Sequence, residues 1–120
     1  MDFDWEEYLD LARFLAGQGN RYTQEAGHRS GVSRAYFAAF CHARGWATRH
    51  QGFRPHERVA DHGRLRAHYK ARGQTSIAQD LDQLRQRRNQ CDYDNIVGPF
   101  LPLMLLEAIR MADEILSQLR

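Results

Sequence analysis

Apolar residues recur every three or four positions along most of the chain, and no segment alternates as a β-strand does. The second predicted helix begins near Thr23 and reaches about Ala43 or Trp46. The broadest stripe belongs to the last predicted helix, and its members are Leu101, Leu105, Ala108, Ile109, Ala112, Ile115, Leu116 and Leu119. These stripes predict helices that bury one face against each other.

Caps and helix breakers define two further helices. The first runs from near Asp4 to Ala16, because Asp4 and Glu7 have capping-box spacing and Gly17 and Gly19 follow. The third follows Pro55, carries Val59, Leu65 and Tyr69, and ends by Gly73. Short connections favour antiparallel neighbours. We therefore predict one all-α domain over residues 1–120, an up-and-down bundle of four main helices plus a shorter one.

The fourth predicted helix, from Thr75 or Ser76 to about Cys91, places a charge where its apolar stripe should continue. Ile77, Leu81 and Leu84 recur at helical spacing, and the next position of that stripe is Arg88. A buried arginine needs a carboxylate, carbonyl groups or a phosphate, because an unpaired buried charge is costly. The face around Arg88 also holds Arg85, Asn89 and Asp92, with Tyr93 next in the chain.

This polar face has two interpretations. Arg88 pairs with Asp92 at i+4 and Asn89 caps the helix end, so that the cluster is only structural. Alternatively, the arginines, joined by Arg34 of the second helix, bind a phosphodiester and stabilise charge on its oxygens. The residues alone leave both open.

Charge is unevenly distributed, although the net charge is only +2. The segment from Arg44 to Arg72 has eight basic residues against two acidic ones, and sixteen of the chain's seventeen basic residues are arginines. Arginine binds phosphate bidentately, so this segment suits nucleic acid, but it equally suits a solvated face.

Several classes of function are disfavoured. The first twelve residues hold five acids and no base, unlike a signal peptide, and no apolar run is long enough for a membrane span. Cys41 and Cys91 match no disulfide framework, which favours a reduced, cytoplasmic chain. The histidines at 50, 56, 62 and 68 are six residues apart and point in different directions on a helix, so we expect no metal site and no cofactor.

Two segments resemble the HEPN family, small helical domains of higher eukaryotes and prokaryotes named for nucleotide binding. The run from Ser30 to Phe40, SGVSRAYFAAF, is similar to the family's S-x-x-S-R-A-Y-Y-A-A-F helix. The run from Arg88 to Tyr93, RNQCDY, is similar to its R-N-x-A-D-Y helix end. The block from His62 to Gly73 occupies the place of a third helix that begins with histidine in many members.

The resemblance implies a homodimer with a composite cleft at the ends of both copies of the fourth helix. It implies RNA or nucleotide as ligand, membership of a toxin–antitoxin or defence system, and a nucleotidyltransferase as antitoxin. The family's nucleases are metal-independent and use an arginine, a polar residue and a histidine four to six positions later. On this basis Arg88, Asn89, Asp92 and Tyr93 are the candidate catalytic residues, and Arg34, Arg85 and Arg88 the candidate nucleic-acid-binding residues.

The chain departs from the nuclease signature, because no histidine occurs between Arg88 and Asn95. Without that imidazole, acid–base chemistry on a ribose 2′-hydroxyl lacks its usual agent, unless His62 or His42 supplies one from another helix. We therefore expect RNA or nucleotide binding with weak or lost ribonuclease activity. The alternative is a non-catalytic dimerisation or protein-interaction module whose arginines hold the interface.

Overall fold

The structure, a computed structural model, describes residues 2–17 and 24–120, and these form five helices and no strand. The all-α prediction is confirmed. The helices are α1 (Glu6–Ala16), α2 (Glu25–His50), α3 (Asp61–Ala71), α4 (Thr75–Tyr93) and α5 (Leu101–Gln118).

Five helices are present, as predicted, but two of them are short rather than one. Helices α1 and α3 have 11 residues each, whereas α2, α4 and α5 have 26, 19 and 18. The 26 residues of α2 span about 39 Å at the helical rise, nearly the full 42 Å length of the molecule. The bundle is thus built around one central helix, which packs against α1, α4 and α5.

Several helix ends differ from the predicted ones. Helix α2 continues beyond Trp46 to His50, because Ala47 is buried, and α4 continues beyond Cys91 to Tyr93. Val59 was predicted to lie in the third helix but precedes α3 and is 87% exposed. Gly17 ends α1 as predicted, whereas Gly19 and the predicted start at Thr23 lie outside the described residues.

Helices α2 and α3 run in the same direction, so the prediction of antiparallel neighbours is wrong for this pair. The Tyr36 hydroxyl contacts His62, and the Tyr69 hydroxyl donates to the Ala43 carbonyl over 2.7 Å. The two residues of each pair are 26 positions apart in the sequence. A separation that stays constant along both helices means that they run in the same direction. The connection over residues 51–60 carries the chain back along α2 before α3 begins, and this return places the start of α3 beside the middle of α2.

Gly31 allows α2 and α5 to approach closely. A β-carbon at this position would lie 2.7 Å from Cδ1 of Leu105, which is itself buried. The predicted stripe of α5 is buried at every position except Ile109, which is half-buried. The core therefore lies between α2 and α5, and the polar residues of the candidate site lie where α2 meets α3 and α4.

Candidate functional site

The two segments that resemble the HEPN family touch each other. Ser33 of α2 is buried, and its hydroxyl donates to Oδ2 of Asp92 on α4 over 3.3 Å. Arg34 in turn donates to the Ser33 hydroxyl over 3.4 Å. Because α2 and α4 are antiparallel neighbours, the start of one segment meets the end of the other, and Ser33 orients the Asp92 carboxylate.

Arg88 pairs with Asp92, as the structural interpretation predicts. Its Nε atom lies 2.9 Å from Oδ2 of Asp92, and its Nη1 donates to Oδ1 of Asn89 over 3.0 Å. Asn89 therefore accepts from Arg88 and does not cap the helix. The Arg88 Nε–H makes no well-aligned hydrogen bond among the described residues, so its contact with Asp92 is an ion pair rather than a directed hydrogen bond.

The Phe37 ring brings Arg34 and Arg88 together. The guanidinium carbons of Arg34 and Arg88 lie 5.2 Å and 5.0 Å from its centroid, within the range of cation–π attraction. Tyr93 lies on the other side of Arg88, with its ring centroid 5.6 Å away, and is 73% exposed. Arg34, Arg88, Asp92 and Tyr93 thus lie close together.

His62 at the start of α3 lies against the same surface. Its Nδ1 is hydrogen-bonded to the Tyr36 hydroxyl, and its ring stacks on Phe40 with centroids 4.1 Å apart. Of the two histidines considered as substitutes for the missing one, His42 is placed elsewhere, because its Nε2 donates to the Leu119 carbonyl over 2.7 Å. His62 is therefore the imidazole that the fold supplies to this region.

The surroundings of His62 favour its neutral form. Burial lowers its pKa below the ordinary value, and the positive charges of Arg88, Arg66, Arg44 and Arg85 lower it further. Burial also raises the pKa of Tyr36 to about 12, despite the opposing effect of Arg66, Arg85 and Arg88. At pH 7 a protonated phenol therefore faces a neutral imidazole.

Arg66 and Arg85 complete a group that we call the His62 cluster, namely Tyr36, His62, Arg66, Arg85 and Arg88. Both Arg66 and Arg85 lie near Oδ1 of Asp82, at 3.6 Å and 3.2 Å. Among the described residues, Nη1 of Arg66 and Nε of both Arg85 and Arg88 are buried without a hydrogen-bond acceptor. Buried donors without acceptors cost free energy, and Arg88 Nε still has the Asp92 carboxylate 2.9 Å away.

Arg29 fixes the end of α4 and was missed by the sequence analysis. Its guanidinium donates to the carbonyls of Cys91, Asp94 and Asn95 over 3.0, 2.5 and 3.1 Å. A helix end needs donors for its last carbonyls, and the last turn of α4 contains no basic residue. That lack was the only signal in the sequence that a cation from elsewhere caps this helix.

Asp61 holds the turn that places His62. Its carboxylate accepts from the backbone N–H groups of His56 and Glu57 and from Arg64, whose Nη1 is 2.7 Å away. Burial alone would raise the pKa of Asp61, but the hydrogen bonds from His56, Arg64 and Glu57 outweigh it and lower the pKa from 3.8 to about 2. Glu57 adopts a left-handed conformation with φ of 58°, so this turn depends on the bonds to Asp61.

We expect Asp61 to stabilise the fold above pH 4 and to lose that contribution as the pH falls towards 2. The folded-state pKa is below the unfolded one, so protonation favours unfolding in this window. Urea unfolding followed by circular dichroism should give Asp61→Asn a lower midpoint than wild type at pH 7 and a nearly equal midpoint at pH 2. Asp10→Asn, which changes an exposed ion pair with Arg13, is the control. A deficit of Asp61→Asn that is the same at both pH values would contradict the assignment.

The remaining chemistry is limited. Cys41 and Cys91 are both buried and free. Among residues 2–17 and 24–120, no three histidine, cysteine or acidic side chains are grouped so that they could hold a metal ion. The helices of this part of the chain are too short or too polar to cross a membrane.

Comparison with known proteins adds no relative: no family model, no curated protein and no solved structure matches this chain.

Proposed function

We propose that this chain is a HEPN-like domain that binds RNA or a nucleotide at the His62 cluster. The observation that carries the proposal is the grouping of Arg66, Arg85 and Arg88 around His62: Nη1 of Arg66 and Nε of Arg85 are buried with no acceptor among the described residues, and Nε of Arg88 has only the Asp92 carboxylate beside it, at 2.9 Å and without an aligned hydrogen bond. A phosphate is the natural acceptor, because arginine binds phosphate oxygens through several charge-assisted hydrogen bonds.

The surface around the cluster also suits RNA. Arg34 lies beside Arg88 on the Phe37 ring and adds positive charge at the same place. Tyr93 offers an exposed ring next to Arg88, on which an unpaired base can stack. Arg88 then contacts phosphate, Asn89 and Asp92 hold its guanidinium, and Arg34 and Arg85 contribute charge.

Binding is better supported than cleavage. Tyr36 is buried, and His62 Nδ1 is its only hydrogen-bond partner among the described residues, so with a neutral imidazole we assign the phenol as the donor to that nitrogen. The proton of the neutral imidazole then resides on Nε2. Such a histidine is a hydrogen-bond donor and has no lone pair with which to deprotonate a 2′-hydroxyl, which supports weak or lost ribonuclease activity.

A homodimer is part of the proposal. Tyr93, Ile96, Phe100, Leu103 and Leu106, from the end of α4 to the first turns of α5, are between 53% and 84% exposed. The same outer face of α5 becomes charged only from Glu107 and Arg110 onwards. This largely apolar segment, in which Asp94 is the one exposed charged residue between Tyr93 and Leu106, begins beside Arg88 and would let a second copy meet the first next to the cluster. We further propose a cytoplasmic role in a toxin–antitoxin or defence system with a nucleotidyltransferase antitoxin, on the motif resemblance.

The direct test is binding of a fluorescent single-stranded RNA, measured by anisotropy with chelator present at 50 and 200 mM salt. We expect binding at low salt, a clear loss of affinity at high salt because phosphate contacts release counterions, and intact RNA on a gel. Rapid cleavage that Arg88→Ala abolishes would contradict the loss of nuclease activity. No binding at 50 mM salt would contradict the function itself.

The second candidate function is a protein-interaction module, and the exposed apolar face from Tyr93 to Leu106 favours it. In that case the arginines support the interface and do not bind RNA. Arg88→Ala would then weaken the dimer in light scattering while RNA binding stays absent or unchanged. If the chain binds RNA as proposed, Arg88→Ala lowers RNA affinity and leaves the dimer intact.

A further inference from the structure

The charges around His62 do not cancel. The four arginines that act on the imidazole are Arg44, Arg66, Arg85 and Arg88. Two carboxylates pair with them, since Asp82 contacts Arg66 and Arg85, and Asp92 contacts Arg88. Four positive and two negative charges leave a surplus of two. A phosphodiester carries one negative charge, whereas a phosphate monoester carries close to two at neutral pH.

His62 adds a directed donor to this surplus. Nδ1 is occupied by Tyr36, and the Nε2–H has no acceptor among the described residues. Nε2 is also not fully buried, so a ligand can reach it. The ring is fixed by stacking on Phe40 and by the bond from Tyr36, so Nε2–H is held in one direction. A pre-oriented donor beside excess positive charge is suited to a small, highly charged anion.

We propose, building on the proposed function, that the His62 cluster is a site for a phosphate monoester, either a mononucleotide or the terminal phosphate of an RNA chain. The monoester lies among Arg66, Arg85 and Arg88 and accepts the Nε2–H of His62. Internal phosphodiesters of RNA bind the same surface more weakly. The site therefore discriminates chain ends and free nucleotides from the body of an RNA strand.

Binding of a monoester should also take up protons. The groups facing His62 are Tyr36 and Arg44 from α2, Arg66 from α3, and Arg85 and Arg88 from α4; of these, only the arginines are charged at neutral pH. Their charge disfavours imidazolium in the free protein, and a bound dianion compensates that charge. His62 then gains a proton: its Nδ1–H donates to the Tyr36 oxygen and its Nε2–H to the phosphate, and the Tyr36 O–H loses Nδ1 as its acceptor in exchange. Sulfate, which stays a dianion at these pH values, should consequently bind more tightly at pH 5.5 than at pH 7.5.

The test measures, by calorimetry at pH 7.5 and 50 mM salt, the binding of three ligands that share one base. They are adenosine 5′-monophosphate, adenosine 3′,5′-cyclic monophosphate and adenosine. We expect the monoester to bind about tenfold more tightly than the cyclic diester, and adenosine not to bind. Arg66→Ala should remove the preference. Arg110→Ala, which changes an exposed pair with Glu114 on α5, should keep it.

His62→Gln retains an amide donor but cannot titrate, so it should abolish the pH dependence of sulfate binding. If this variant does not fold, the comparison of Arg66→Ala with Arg110→Ala still decides the proposal. Equal affinity for the monoester and the cyclic diester overturns it while leaving nucleotide binding intact. Binding of RNA with no binding of the monoester also overturns it, and failure of every phosphate ligand, RNA included, removes the proposed function as well.

Discussion

Replacing Arg88 by glutamate is expected to lower affinity for single-stranded RNA by about 100-fold at low salt. The substitution removes the guanidinium that lies on Phe37 beside Arg34 and places a carboxylate next to Asp92. Two neighbouring carboxylates would repel a phosphate. The new negative charge would also offset the positive charges of Arg66 and Arg85. Anisotropy titrations with the same RNA give the affinity directly, and the slope against salt should also become smaller.

The matched control is Arg110→Glu, which makes the same charge change on α5 where Arg110 is 62% exposed and paired with Glu114. This control should lose only the small affinity that follows from the change in net charge. Circular dichroism of both variants separates loss of binding from loss of fold. Equal loss of RNA affinity in the two variants would show that binding is a property of overall charge and not of the His62 cluster.

Leu103→Glu combined with Leu106→Glu should convert the proposed dimer into a monomer. The five exposed side chains from Tyr93 to Leu106 present on the order of 600 Å² of apolar surface. A standard interface buries about 800 Å² per partner, so this face supplies most of one. Two glutamates facing their symmetry mates would be desolvated next to like charge.

Light scattering at matched concentrations reports the change in mass. Leu11→Glu combined with Val59→Glu is the control, because these residues are also exposed, at 44% and 87%, but lie on α1 and before α3. The control should remain a dimer. A wild type that is monomeric at tens of micromolar would contradict the interface, and so would dissociation of the control.

The helices could be predicted because the apolar periodicity that indicates them lies within each segment of the sequence. The stripe of α5 and the buried Ile77, Leu81 and Leu84 of α4 follow from periodicity alone. The direction of α3 was not predictable, since it depends on how residues 51–60 return along α2. That return is held by contacts such as those of Asp61, whose partners lie within the turn and leave no periodic signal.

The candidate site was predictable in its α4 part and not in its α3 part. Arg88 interrupts an apolar stripe, and Asp92 follows at i+4, so their pairing was visible in the sequence. Arg66 has no such mark, because it is one arginine among many in a basic segment. In the sequence His62 is one of two histidines, with His42, that could take the place of the missing one. Tyr36 lies in the buried stripe of α2, and only its bond to His62 connects it to the site.

The most direct test of the central claim, that RNA phosphate binds at the His62 cluster, is an NMR titration of the six histidine side chains with a short single-stranded RNA. We expect the His62 ring resonances to shift most and those of His42, held against the Leu119 carbonyl on another face of α2, to stay in place. RNA binding that leaves His62 unchanged, or that shifts His42 more, would contradict it.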